Sequence, residues 1–103
     1  MACKIIINPS ASLDIIAAID WYNEQLPNLG FRFYKYIQTT LDNIRKNPGG
    51  YAVRYKTIRT AIVKKFPYMI HYIVDQQTDT VRVLAVICTH RNPGSWFEKT
   101  KQG

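Results

Sequence analysis

Residues 59–96 constrain the fold more than any other stretch of this chain. Three strand-like runs lie within them, at residues 60–66, 68–74 and 81–88. Each is rich in β-branched and aromatic side chains and alternates in hydropathy, and the breaks between them are short: Pro67, then the polar run at residues 75–79. Breaks this short leave no room for crossover helices, so the runs are expected to pair as an antiparallel meander. Strict alternation places Val81, Val83, Ala85 and Ile87 on one face of the last strand and Arg82, Leu84, Val86 and Cys88 on the other. The stretch closes on a basic turn, His90-Arg91-Asn92-Pro93, followed by Trp96.

The sequence ahead of the meander reads as one strand and two helices. Residues 4–8 form a short apolar strand that Pro9 ends. Ser10 is placed to cap a helix over residues 11–25, with Asp14 near the positive end of its dipole. Ile15, Ala18, Ile19, Tyr22 and Leu26 fall on one helical face. Leu13, Ile16 and Trp21 fall outside it, so either a second element or a partner covers them. After Leu26-Pro27-Asn28, a second helix is expected over residues 29–46, with a stripe of Phe33, Ile37, Leu41 and Ile44. Asn47-Pro48-Gly49-Gly50 stops it. Residues 51–58 read as a partly extended connection, and the polar residues 97–103 as a frayed tail. The expected fold is α+β in the order βααβββ: a helical hairpin packed on an antiparallel sheet, in a single domain spanning the 103 residues. The other face of the sheet is left open.

Net charge is +7, unevenly spread. Residues 43–74 hold seven basic groups and no acid (Arg45, Lys46, Arg54, Lys56, Arg59, Lys64 and Lys65). Such a block either solvates a face or meets an anionic partner: nucleic acid, a ribosome or an acidic protein segment. Cys3 and Cys88 have no metal-ligand spacing and read as reduced, buried thiols. No signal peptide and no apolar run of membrane-spanning length is seen, so the expected location is the cytoplasm.

Phosphate loops, dinucleotide fingerprints, zinc-type spacings and nucleophile elbows are all missing from the sequence, so neither cofactor nor metal is expected. What remains is metal-free acid–base chemistry. His71 and His90 could exchange protons near neutral pH. Arg59, Lys64, Lys65, Arg82 and Arg91 are candidates to hold phosphates or a macromolecular target. His71, in mid-strand, is either a packed histidine or a proton carrier. His90 and Arg91, at a strand end, are the catalytic candidates if the chain cuts RNA. Trp96 either plugs the end of the sheet or stacks on a target.

These residues carry a family resemblance. Asp20-Trp21-Tyr22, Leu29-Gly30-Phe31-Arg32-Phe33, Asn47-Pro48, the run Lys65-Phe66-Pro67-Tyr68-Met69-Ile70-His71-Tyr72, and Val83-Leu84-Ala85-Val86 leading to His90-Arg91-Asn92-Pro93 and Trp96 resemble the RelE/ParE superfamily of type II toxin–antitoxin toxins. The resemblance spans nearly the whole chain and agrees in element order. It implies a growth-inhibiting toxin neutralised by a cognate antitoxin. That antitoxin's C-terminal segment would cover Leu13, Ile16 and Trp21, and an acidic tail would suit the +7 charge. RelE-like members cut mRNA on the ribosome and carry an arginine where this chain has Met69 and a tyrosine where it has Trp96. The pattern is therefore nearer the ParE-like branch, whose members poison DNA gyrase by binding. The alternatives are a ribosome-dependent endonuclease using His90, Arg91 and the lysines, or a degenerate member that binds only its antitoxin.

Overall fold

A computed structural model describes residues 3–89; His90, Arg91, Trp96 and the expected frayed tail lie outside them. The elements run β1 (Lys4–Ile7), α1 (Pro9–Gln25), α2 (Leu29–Lys46), a 3-10 turn (Pro48–Gly50), β2 (Val53–Tyr55), β3 (Ile58–Ile62), β4 (Tyr68–Asp75) and β5 (Thr80–Cys88). Among the described residues the sheet has the order β1-β5-β4-β3-β2. The expected α+β architecture and the β3–β4–β5 meander are both present. Two features go beyond the expectation. Part of the 51–58 connection forms an edge strand, β2, and β1 joins the sheet by pairing parallel with β5.

The start of α1 differs from its sequence signals. Asn8, extended at φ −61° and ψ 149°, occupies the cap position without a side-chain cap bond, and Pro9 is the first helical residue. Proline suits that position because its missing N–H would have had no helical partner. Ser10 is therefore not the cap, and Asp14 lies beyond the first turn. Both side chains do other work. β1 stops at Ile7, opposite Val83, whereas β5 runs on to Cys88. Its edge would be bare from Leu84 onward. The Ser10 hydroxyl donates to the Leu84 carbonyl at 3.2 Å, and the Asp14 carboxylate accepts from the Val86 N–H at 3.1 Å. The first turns of α1 thus stand in for the missing strand and blunt an exposed edge.

α1 buries Ala11, Ile15, Ala18 and Tyr22, and α2 buries Gly30, Phe33, Thr40, Ile37 and Ile44. Leu26, expected on the apolar stripe, is exposed because the helix ends one residue before it. Thr40 is tolerated inside because its hydroxyl donates to the Tyr36 carbonyl at 2.8 Å. The two helices approach closely at Gly30. Its N–H donates to Asn23 Oδ1 at 2.7 Å, and a Cβ there would lie 2.4 Å from the Ile19 carbonyl oxygen.

β3 is shorter than the run 60–66 predicts. Val63 leaves the strand, its N–H donating to the Tyr68 carbonyl at 2.9 Å, and Lys65 takes a left-handed φ of 67°. The turn swings Phe66 under the helices. There it meets Tyr22 and Phe33 with ring centroids 5.0 and 5.2 Å away, and Tyr68 closes the cluster 5.0 Å from Phe33. Edge-to-face aromatic pairs of this kind contribute roughly 0.5–1.5 kcal/mol each beyond area burial. At the other end Tyr72 is fully buried, and its hydroxyl donates to the Pro48 carbonyl at 2.7 Å, tying sheet to helix exit. Burial pushes the Tyr72 hydroxyl up to about 12, so it stays a donor at any physiological pH.

Strict alternation fails in β5. His71 faces Ala85, but the next pair is Tyr72 with Val83, leaving Leu84 as an extra residue. This bulge switches the inward face from odd to even numbers, so Val81, Val83 and Val86 all enter one core.

Gly30→Ala should lower stability by roughly 1–3 kcal/mol through overpacking against the α1 backbone. Asp14→Ala should cost about 1–3 kcal/mol by orphaning the Val86 N–H. Urea unfolding of each variant measures both.

Candidate functional site

Among the described residues, the cations singled out in the sequence do not form one patch. Arg59 pairs with Tyr72 on the helix-covered side, and its guanidinium donates to the Tyr51 carbonyl and, at 3.4 Å, to that of Gly49. It braces the backbone around the 3-10 turn. Lys64 and Lys65 are exposed in the β3–β4 turn. Arg82 is exposed beside Ile73 and Ile6, and donates to Asn8 Oδ1 at 3.3 Å. Tyr68, where β4 leaves the lysine turn, is five residues from Ile73, on the order of 17 Å along a strand. The lysines and Arg82 therefore lie toward opposite ends of the sheet.

The surplus apolar residues of α1 are exposed, as expected: Leu13 67%, Ile16 54% and Trp21 54%. The hairpin exposes more than these. Leu26, Phe31 (60%) and Tyr34 are also largely open to solvent. Phe31 and Tyr34 flank the buried Phe33 in sequence, and their off-stripe positions were the available signal. Beside them on α2, Arg32, Lys35, Tyr36 and Thr39 line an open hollow of about 280 Å³.

A tighter group lies on the sheet's open face. His71 pairs with Thr60 on one side and Ala85 on the other, and its side chain is buried. Its Nδ1 is 3.4 Å from the Tyr55 hydroxyl. In β2, Val53 pairs with Arg59 and Tyr55 with Ile58, so Arg54 is a bulge residue. The bulge lets two consecutive side chains serve the same face, which a regular strand forbids. Arg54 reaches over that face, its Nη2 lying 3.9 Å from Met69 Sδ. Burial, reinforced by the positive charge of Arg54, holds the His71 imidazole below its usual range, with Asp14 opposing. The ring is therefore neutral at physiological pH. In the tautomer protonated on Nε2, its Nδ1 accepts from the Tyr55 hydroxyl. Arg54 and Tyr55 were missed in the sequence because residues 51–58 read as a connection and a bulge leaves no hydropathy signature.

Both thiols are free, Cys3 buried and Cys88 half-buried. Among the described residues no cluster of three or more His, Cys, Asp or Glu could hold a metal ion, and no helix is long and apolar enough to cross a membrane.

Residues 5–93 match the family model described as the ParE toxin of the type II toxin–antitoxin system parDE. No curated protein matches the sequence significantly. Among solved structures, the chromosomal ParDE toxin–antitoxin system from P. aeruginosa is similar at TM-score 0.75 and 14% identity, over 86% of this chain and 98% of that one. The isolated RelE toxin of E. coli is similar at TM-score 0.63 and 15% identity, over 98% of both chains. The toxin–antitoxin complex RelBE2 from Mycobacterium tuberculosis is similar at TM-score 0.61 and 15% identity, over 85% of this chain and 99% of that one.

The His71 environment predicts a pH dependence. Its folded pKa is depressed, so between the two values the unfolded chain binds more protons and stability rises with pH. Stability should therefore fall as pH drops below the unfolded histidine value of about 6.5. Urea midpoints taken from pH 7.5 down to pH 5.5 should show the loss, and His71→Gln should flatten it.

Proposed function

Because the chain belongs to the ParE toxin family of type II toxin–antitoxin systems, we propose that it arrests growth by binding DNA gyrase and is held inactive by a cognate antitoxin. The observation that carries this reading is the family match itself, spanning residues 5–93. Met69 supports it. At the position where RelE-like members carry an arginine, this chain places a neutral thioether on the open face, against Arg54. The setting of this action is the cytoplasm, where gyrase works.

Two features favour an antitoxin partner. The similar structures from P. aeruginosa and Mycobacterium tuberculosis are a toxin–antitoxin system and a toxin–antitoxin complex. The helical hairpin also exposes Leu13, Ile16, Trp21, Leu26, Phe31 and Tyr34, an apolar surface of the kind a partner covers. With a +7 toxin, an antitoxin segment that is both amphipathic and acidic fits best.

Purified toxin should inhibit gyrase supercoiling, and its expression without the antitoxin should induce the DNA-damage response. Unimpaired supercoiling accompanied by newly cut mRNA would replace this reading with ribosome-dependent cleavage. No growth arrest at all would leave an antitoxin-binding protein without toxicity. Trp21→Ala should weaken antitoxin binding at least about tenfold, roughly 1.4 kcal/mol, with only the small drop in melting temperature expected from losing its edge-to-face contact with Tyr22. Titration calorimetry against the antitoxin measures it.

A further inference from the structure

The gyrase reading leaves Arg54, Tyr55 and His71 without a task. Two bulges converge on this group. One, at Arg54, lets adjacent residues of β2 serve the open face. The other lies beside His71, where the β4–β5 register shifts. Bulges that re-aim side chains cluster beside functional sites.

We propose that Arg54 and Tyr55, backed by His71, bind the phosphodiester backbone of a nucleic-acid strand. Arg54 is exposed, and the Met69 sulfur beside its guanidinium is a weak acceptor that a phosphate oxygen displaces. With the imidazole proton on Nδ1, that nitrogen donates to the Tyr55 oxygen 3.4 Å away, and the hydroxyl proton is then directed to a second oxygen of the same phosphate. His71 is neutral, packed between Thr60 and Ala85, and fixes where that hydroxyl sits. Next to these donors Ile62 is 69% exposed and, with Met69 opposite it, forms an apolar shelf on the same face. Donors for phosphate beside an apolar shelf match a strand whose backbone and bases lie side by side. The acid-free run 43–74 supplies no carboxylate to repel it, and Asp14, whose charge reaches His71, accepts from the Val86 N–H. This inference deepens the gyrase reading, on which its biological setting rests: there the strand is gyrase-bound DNA, and the toxin contacts protein and DNA together.

The test is fluorescence anisotropy of the full chain with a labelled single-stranded DNA of about 20 nucleotides, its duplex, and a single-stranded RNA of the same sequence, between roughly 50 and 200 mM salt. Arg54→Gln should weaken binding on the order of tenfold and reduce the salt slope by about one. Tyr55→Phe should weaken it roughly threefold, a loss to be read at a temperature well below the melting point, which losing the hydroxyl's contact with His71 lowers. Arg32→Gln, on the helical layer, should leave it unchanged. The preferred strand identifies the source of the phosphates. Equal losses in Arg32→Gln and Arg54→Gln, or an acidic antitoxin peptide as the only ligand that Arg54→Gln affects, would overturn the site. Strand binding that persists without gyrase inhibition would remove the gyrase setting and keep the site. Gyrase inhibition untouched by Arg54→Gln and Tyr55→Phe, with no strand bound, would do the reverse.

Discussion

Tyr72 and Val83 face each other across β4 and β5 only because Leu84 is left unpaired. Much of the molecule depends on that slip. Before it, Val81 and Val83 point under the helices; after it, Val86 does, and the core continues without a break. The same slip gives Ile70, Tyr72 and Val74 inward-facing partners along β4 while His71 stays on the opposite face. Without the bulge, one half of β5 would turn its apolar residues to solvent, since a one-residue shift exchanges every side chain between faces.

The helical layer is fixed to this sheet at two points of different chemistry. At one, Tyr22, Phe33, Phe66 and Tyr68 pack ring against ring. At the other, Ser10 and Asp14 occupy backbone groups of β5 that β1 is too short to reach. The first is apolar and directional only through ring geometry. The second satisfies polar groups on a strand edge that would otherwise invite another chain. Together they leave the outer side of the hairpin unused by the fold. Leu13, Ile16, Trp21 and Phe31 stand there at solvent exposures the core does not require. A domain of this size has a modest core and marginal stability, so a partner seated on that side would add to stability by mass action.

The charge of the chain divides by use. Arg59 holds backbone carbonyls near the 3-10 turn, and Arg82 bonds Asn8 at the start of α1. Lys64 and Lys65 project from a turn. Arg54 is drawn over the open face by a bulge and adds to the burial that lowers the His71 pKa. Four cations of one acid-free stretch of sequence, Arg54, Arg59, Lys64 and Lys65, are thus separated in space, and the net charge of +7 would act on a partner mainly as a long-range field.

The sequence by itself determined the element order apart from β2, both helical stripes apart from Leu26, the meander and the exposed apolar residues of α1. Each of these follows from local periodicity and from strong breakers such as Pro27, Pro48 and Pro67, which act within a few residues. Tertiary structure alone decided the parallel pairing of β1 with β5, the task of Ser10 and Asp14, the turn that takes Lys64 and Lys65 out of β3, and the grouping of Arg54, Tyr55 and His71. The turn is local, set by the left-handed Lys65 and the Val63 N–H to Tyr68 carbonyl bond; the other three depend on register between segments far apart in the chain, and a single unpaired residue resets that register while leaving hydropathy along each strand unchanged.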